Sequence, residues 1–459
     1  MNNPKPLNRD TAQAPGPAPV RLIHLGLGAF HRAHQVYYTQ QAETDPQQPQ
    51  WGYASFTGRG PGMAELLSAQ DGLYTLVTRS GEGDSPTLMS SLVEAHPASD
   101  VPALRELMVR PEVAVVTLTI TEAGYHLAAD GSLDTADPEV AGDVAKLRED
   151  LSPASLATAT GRLISGLAAR RAANAGGIAI MSCDNVAANG PVTRAAVCDM
   201  AREVDAELAA WVEAEVTFPS TSIDRITPRT EEELLAEVAR ETGFADASPV
   251  VTEPFASWVI EGEFPAGRPE WERAGVEFVS DIDAFESRKL WLLNGSHSLM
   301  AYYGQLRGHE TVAEAIADPE VRRQVGLLWD EAANQLTAEE LQVPAYRDSL
   351  IERFENPRIR HNLAQIAIDG GTKQRMRAVP ILKAELGDGR EGPGATFSIA
   401  AWIAYLLAAD EIADTRAAEL TAARKNADPV KALLAALDED LANEEQVLAR
   451  VRSQVEALS

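Results

Sequence analysis

The chain has 459 residues, too many for one ordinary hydrophobic core, so two or three domains are expected. Its 45% hydrophobic and 24% charged residues describe a globular protein, and a formal net charge of -28 argues against a nucleic-acid partner, whose phosphates it would repel. Cys183 and Cys198 lack metal-ligand spacing, so neither a disulfide framework nor a zinc ribbon is suggested, and no run nears the roughly 18 apolar residues needed to span a bilayer.

Residues 1–19, rich in Pro, Asn, Gln and Ala, read as a flexible start. They lack the basic and apolar segments of a signal or transit peptide, so a cytoplasmic protein is expected. Val20–Leu25 then reads as a short buried strand running into Gly26-Leu-Gly28-Ala29-Phe30. A strand, glycines and a helix start bring backbone amides to one point, which suits a pyrophosphate; the plain alternative is an ordinary tight turn. Gly26, Gly28, Ala29 and Phe30 are the candidate contacts, although His31 stands where the dinucleotide pattern has its third glycine. His31 and His34 have no carboxylate or cysteine near them in sequence, and no metal is expected.

Gly52–Thr57 arrives where the second strand of a mononucleotide-binding unit belongs. Its end carries Thr57-Gly58-Arg59-Gly60 in place of the acidic residue that holds the ribose in common NAD enzymes. Gly58 and Arg59 are cofactor candidates, and because Arg59 equally suits a 2′-phosphate, NAD and NADP both stay open. Residues 73–78 and 89–93 read as strands and 102–109 as a helix. The β-branched run 113–120 predicts a strand buried on both faces, with Thr121 and Glu122 at its carboxyl end, where open α/β sheets bind ligands.

Helices are predicted over 138–149, 153–173 and 193–214, with an apolar strand over 177–185 that ends in Asn185. Such an amide could orient an alcohol or a nicotinamide, although Asp-Asn also commonly starts a turn. Asp224 and Arg225, between apolar neighbours, read as a structural ion pair, with a functional role as the minority reading. After a short strand at 276–279 the β-branched runs stop, and the helical period dominates from about residue 281. A dinucleotide-binding domain over 20–281 and a helical domain over 282–459 are therefore expected, the first an α/β doubly wound Rossmann type and the second mainly α-helical.

The run Phe285–Tyr303 is the chemically richest stretch of the second part. At about 100° per residue with Lys289 at zero, Glu286 falls near ~60°, His297 near ~80° and Asn294 near ~140°, so four reactive side chains share one face. Leu290, Trp291, Leu292, Leu299 and Met300 occupy the other directions, which predicts a helix buried nearly all round. Apolar surroundings disfavour a charged lysine and would ready Lys289 as a base. The plain alternatives are a snorkelling lysine, a turn at Asn294-Gly295 and a core histidine. Further on, 362–373 reads as a helix end stopped by Gly370 and Gly371, with Gln365 and Lys373 facing a cleft. Residues 411–426 and 429–459 read as acidic, amphipathic packing helices.

Gly26-x-Gly-Ala-Phe-His-Arg-Ala-His34, Thr119–Tyr125, Ser182-Cys-Asp-Asn185, Phe218 through Asp224-Arg-Ile-Thr-Pro228, and Lys289 with Asn294-Gly-Ser-His297 together resemble the mannitol dehydrogenase family, the polyol-specific long-chain dehydrogenases. The resemblance covers residues 20 to about 377. It implies metal-independent hydride transfer between a nicotinamide, NAD first with NADP not excluded, and a polyol carbon. It implies Lys289 as general base, Asn185 and Asn294 as amides stabilising the alkoxide, His297 on the reacting oxygen, and Glu286 in proton traffic to Lys289. Asp224, Gln365 and Lys373 fall where the family contacts the substrate chain.

Two departures stand out: Ile223 replaces the usual Val before Asp-Arg, and Gln365 stands where some mannitol 2-dehydrogenases have Arg. At Gln365, and over Ile351–Pro357 and Arg360-His361, the chain resembles fructuronate reductases (mannonate oxidoreductases). The expected substrate pair is D-mannitol and D-fructose. D-mannonate and D-fructuronate come next, with Lys373, Arg377 or His361 meeting the carboxylate, and mannitol 1-phosphate third. A nucleotide-binding regulator without turnover is the reading from a different class. A monomer or weak oligomer, free of membrane and nucleic acid, is expected.

Overall fold

A computed structural model describes residues 4–458, which form two compact units that divide after Ile282. In the first, six strands form a wholly parallel sheet in the order Leu92–His96, Gly52–Phe56, Val20–Leu25, Val115–Leu118, Ile178–Ser182 and Val216–Thr217. Numbered along the chain this is 3-2-1-4-5-6, the doubly wound order whose topological switch point lies between the first and fourth strands. Buried side chains such as Ile23, Leu25, Val116, Leu118, Ile180 and Leu163 fill one face, and Leu22, Val115, Ala179 and Tyr53 the other. Burial on both faces explains why these strands read as near-continuous apolar runs.

Three departures from expectation have clear causes. The start of the chain is not without structure: Lys5–Pro6 pairs in parallel with Phe244–Ala245, and Arg9 donates to the carbonyls of Pro15 and Ser90. The predicted helix 193–214 is two helices, Asn189–Val204 and Ala206–Glu215, because the Asp205 side chain caps the second by accepting from Leu208 N. Arg225 does not pair with Asp224. Its guanidinium donates to the carbonyls of Ala33 and Glu253 and lies over the Tyr37 ring, 4.2 Å from the centroid. Smaller sheets flank the main one, with Ser220–Asp224 antiparallel to Ser257–Glu261 and Tyr74–Arg79 between Val250–Thr252 and Asp84–Met89.

The second unit is helical. Its first helix runs unbroken from Asp283, but Lys289–Asn294 and Met300–Gly304 are π-helical, separated by the α-helical Gly295–Leu299. No turn forms at Asn294-Gly295, since both residues keep right-handed helical angles. Helix Pro393–Ala408 is buried along most of its length, and buried Glu331 caps it by accepting from Gly394 N (2.5 Å) and Ala395 N (2.8 Å). The acidic tail forms four shorter helices, Ala417–Arg424, Pro429–Leu437, Glu439–Asn443 and Glu445–Leu458. Asp428 and Asp438 cap two of them and so break the longer runs the sequence suggests. No helix among the described residues is long and apolar enough to cross a membrane.

Gly370 and Gly371 begin helix Gly370–Gly387; they do not end a helix. The preceding turn is only Leu363–Ile366, and Asp369 turns the chain in the left-handed region. Close approach explains the first glycine: a Cβ on Gly370 would lie 2.4 Å from Tyr302 Oη and 2.6 Å from Trp402 Nε1, both held by buried side chains. Gly370→Ala is accordingly expected to cost about 1–3 kcal/mol through overpacking. Denaturant unfolding followed by fluorescence would check this, and an unchanged midpoint would contradict the packing described.

Candidate active site

In the first unit, Gly26 ends the first strand at φ 112°, and a Cβ there would sit 2.0 Å from Thr119 O. Only glycine lets the loop cross the neighbouring strand so closely. Gly26 N and Leu27 N both donate to Phe56 O, at 2.9 and 2.8 Å. Gly28 is the N-cap of helix Ala29–Ala33 and makes no side-chain cap bond. The first amides of that helix are thus left for an outside acceptor at the switch point, which fits a pyrophosphate. Gly58 and Arg59 are exposed beyond the second strand, while Thr57 is fixed by accepting from Ala98 N.

His31, at the missing third glycine, lies flat on His24 with ring centroids 3.4 Å apart. His24 Nδ1 and Nε2 reach Thr117 Oγ1 (2.8 Å) and Thr119 Oγ1 (3.0 Å); His31 reaches Ser55 Oγ and Gln35 Oε1. A planar stack therefore fills the gap that a glycine would have closed. His34 bonds to Gln35 Nε2 and Ser257 O, so these ring nitrogens are engaged within the fold and do not converge on a metal position.

Burial pushes His24 down to about 3, and burial together with His24 holds His31 well below its ordinary 6.5. Both are neutral when folded, whereas the unfolded chain takes up their protons as pH falls below 6.5. Their contribution to stability is thus complete above pH 6.5 and lost as pH falls toward 3. Each supplies a slope of up to about 1.4 kcal/mol per pH unit. The unfolding midpoint of this unit is expected to start falling between pH 6.5 and 5, above the carboxylate range. A midpoint constant over that interval would contradict it.

At the carboxyl ends of the fourth and fifth strands, Thr121 adopts φ 66°, ψ 162°, a region that is almost exclusively glycine's. Holding a β-branched residue there costs about 1–3 kcal/mol. Thr121 and Glu122 are exposed, and so is Asn185 on the adjacent tip. Between them Asp184, largely buried, accepts from Ile120 N (3.1 Å), Thr121 N (2.9 Å) and Tyr125 Oη (2.8 Å). Half-buried Asp224 ends the strand Ser220–Asp224 in the same unit.

In the second unit, Lys289 opens the π-helical segment and Asn294 closes it. The i→i+5 spacing widens that turn, so the positions expected at 100° per residue do not hold across it, and π segments often coincide with functional sites. Lys289, Glu286 and Asn294 are half-buried, as are Leu290 and Trp291, so this stretch is less enclosed than the sequence suggested. His297 is buried, its ring 4.9 Å from that of His361 and 5.1 Å from that of Phe354. Burial, then the nearby His361, Arg353, Arg377 and Lys373, holds His297 well below 6.5, so it carries no charge at neutral pH.

Lys373 and Arg377 are one turn apart on helix Gly370–Gly387 and meet only neutral oxygens. Lys373 Nζ donates to the carbonyls of Ile366 (2.9 Å) and Ile368 (2.6 Å). Arg377 donates to Asn294 O (3.0 Å) and Ser298 Oγ (2.8 Å), which ties it to the helix of Lys289. Among the described residues neither has a carboxylate within ion-pair distance. Burial lowers Arg377 to about 10, and burial with Arg377 lowers Lys373. Gln365 is exposed on the short helix Leu363–Ile366.

The second unit thus brings Asn294, His297, His361 and Arg377 together, with Lys373 a turn away, while Asn185, Asp224 and the glycine loop belong to the first. Sequence reading took in Arg353, Phe354 and Ser298 around His297, and Asp184 and Tyr125 at the strand tips, within longer runs but gave none of them a role. The acidic residue between Ser182-Cys183 and Asn185 was the available signal for the latter.

A doubly wound parallel sheet with a glycine loop at its switch point, followed by a helical unit carrying lysine, amide and imidazole, is the architecture of a nucleotide-dependent dehydrogenase. The mannitol dehydrogenase Rossmann domain matches residues 20–273, and the mannitol dehydrogenase C-terminal domain residues 281–459. The chain belongs to the mannitol dehydrogenase family, oxidoreductases acting on CH–OH groups. It is 38% identical over 431 residues to D-mannonate oxidoreductase of Escherichia coli (strain K12), covering 90% of this chain and 87% of that one. Among solved structures, a substrate-free D-sorbitol dehydrogenase superposes with TM-score 0.89 at 28% identity, covering 99% and 98% of the two chains. Pseudomonas fluorescens mannitol 2-dehydrogenase, in a ternary complex with NAD and D-mannitol, does so with TM-score 0.76 at 31% identity, covering 98% and 96%.

Proposed function

We propose that the protein is an NAD-dependent oxidoreductase of open-chain six-carbon sugar acids, interconverting an aldonate and its keto acid, with D-mannonate and D-fructuronate as the fitting pair. The observation that carries the substrate class is the pair Lys373 and Arg377, two partly desolvated cations held only by neutral oxygens near His297 and His361. A carboxylate is the natural complement of such a pair. The relative named D-mannonate oxidoreductase and the glutamine at position 365 support it, and together they reverse the order in which the sequence ranked the substrates.

In the oxidative direction the carbon-bound hydrogen leaves as hydride, the hydroxyl proton goes to Lys289 Nζ as the general base, and the C–O bond becomes C=O. NAD supplies the hydride acceptor. Asn294 and the uncharged His297 donate to the oxygen as negative charge builds on it, and because they are fixed on one helix they need little reorganisation. Glu286, three residues before Lys289, relays the proton onward. Asn185 is assigned as a further amide donor, and Asp224 and Gln365 as contacts to the substrate hydroxyls. Gly26, Gly28, Ala29, Phe30, Gly58, Arg59, Thr121 and Glu122 border the nucleotide. The step as written needs no metal.

D-mannitol with D-fructose is the second reading, supported by the ligands of the Pseudomonas fluorescens relative. Steady-state rates with D-mannonate, D-mannitol, D-arabinitol and mannitol 1-phosphate, each with NAD and NADP, separate the readings. The expected result is kcat/KM for D-mannonate with NAD at least about tenfold above all others, a 1.4 kcal/mol preference. D-Mannitol preferred over D-mannonate would restore the second reading and overturn the first.

A further inference from the structure

We propose that Asp184 is a positioning residue of the nucleotide site, locking the tips of two neighbouring parallel strands together and keeping Thr121 in a backbone conformation it would otherwise leave. Its carboxylate accepts from two consecutive main-chain amides across the strand boundary, Ile120 N and Thr121 N, and from the Tyr125 hydroxyl. Tyr125 Oη also lies 2.6 Å from Ser182 Oγ, which in turn accepts from Asp184 N. The clamp thus closes on itself through buried groups.

The same residue anchors the chain that follows it. Asn189 Nδ2 donates to Asp184 O (3.1 Å) and to Thr221 O (2.7 Å), while Asn189 Oδ1 accepts from Thr221 N (2.9 Å). The loop 184–189 is therefore held at both ends with Asn185 exposed between them. Strain of the kind seen at Thr121 persists only where surrounding contacts over-determine it, and it concentrates at ligand sites. Here two bonds to one carboxylate supply that over-determination, next to the switch point where this fold binds nucleotides. Thr121 and Asn185 consequently face the ligand from fixed positions instead of ordering on its arrival.

The inference rests on the dehydrogenase reading only in taking NAD as the ligand. NAD dissociation constants from tryptophan fluorescence, thermal midpoints and kcat would be measured on the full chain and on Thr121→Gly, Asp184→Asn and the double variant. Asparagine offers a single acceptor and cannot serve both amides. Thr121→Gly is expected to keep or raise the thermal midpoint by removing the strain and to hold NAD within about twofold of wild type, because glycine suits this backbone region and its amide still meets Asp184. Asp184→Asn should lower the thermal midpoint and weaken NAD binding by at least about fivefold, since the strained threonine is released. The double variant should recover NAD affinity toward wild type, because glycine keeps the conformation without the carboxylate, a rescue that a merely structural role for Asp184 would not produce. Wild-type affinity in Asp184→Asn, or no recovery of affinity in the double variant, overturns the proposal. A wild type that binds NAD but oxidises no CH–OH substrate defeats the dehydrogenase reading, while the binding constants still decide the clamp. A wild type that fails to bind NAD defeats both.

Discussion

Lys289→Ala is expected to lower kcat by about 10²–10⁴-fold, the range that a positioned general base contributes. The reason is chemical: hydride departure leaves positive character at carbon unless the hydroxyl proton departs too, and Asn294 and His297 can donate to the oxygen but cannot take that proton while keeping those bonds. His297 is also the wrong reserve base, since its buried ring sits among His361, Arg353, Arg377 and Lys373 and resists becoming charged. The residues proposed to border the nucleotide do not include Lys289, so NAD affinity measured by tryptophan quenching is expected to change less than about twofold, well under the worth of one hydrogen bond. The variant should also lose any rise of kcat/KM with pH that a general base at Lys289 would impose. A Lys289→Ala enzyme with normal turnover would show the base to be elsewhere.

Lys373→Met should discriminate by substrate charge. Removing a charge-assisted bond costs about 1.5–3 kcal/mol, or about 10–150-fold. That loss is expected in kcat/KM for D-mannonate, with a change below about threefold for D-mannitol, which has no charge to lose. Methionine keeps the length and apolar body of the stem. Lys373 is a cleaner probe than Arg377, because Arg377 also holds Asn294 O and Ser298 Oγ and its removal would disturb the helix of Lys289 as well. Equal losses on both substrates, measured by NADH formation under the same conditions, would remove the case for a carboxylate subsite.

Much of the fold was legible because its signals are local. Val20–Leu25 and Pro138–Glu149 appear with the boundaries their apolar patterns predict, and the end of β-branched runs near residue 281 coincides with the change to a helical unit. The misreadings share a different origin. Gly370-Gly371 looks like a helix stop in sequence, but the need for glycine comes from Tyr302 and Trp402, far along the chain. The π-helical turn from Lys289 to Asn294 cannot be read from periodicity, since a regular 3.6-residue repeat was the assumption used to place those side chains. His31 looked like a defect in the glycine pattern, and only the partner His24, brought alongside by the sheet, explains it. The strain at Thr121 is likewise invisible without Asp184, which approaches from a strand some sixty residues later. At the candidate site the reactive residue types stood out in sequence. Their charge environment, set by Arg353, Lys373 and Arg377 around His297, depended on how separate helices pack.

Reduction of D-fructuronate by NADH carrying deuterium at C4 of the nicotinamide, on the face that is transferred, is the most direct measurement. With a chelator present, the hexonate product is predicted to contain one carbon-bound deuterium, and Lys289→Ala to form it about 10²–10⁴-fold more slowly. A product without deuterium, or turnover that the chelator abolishes, would contradict metal-independent hydride transfer by this chain.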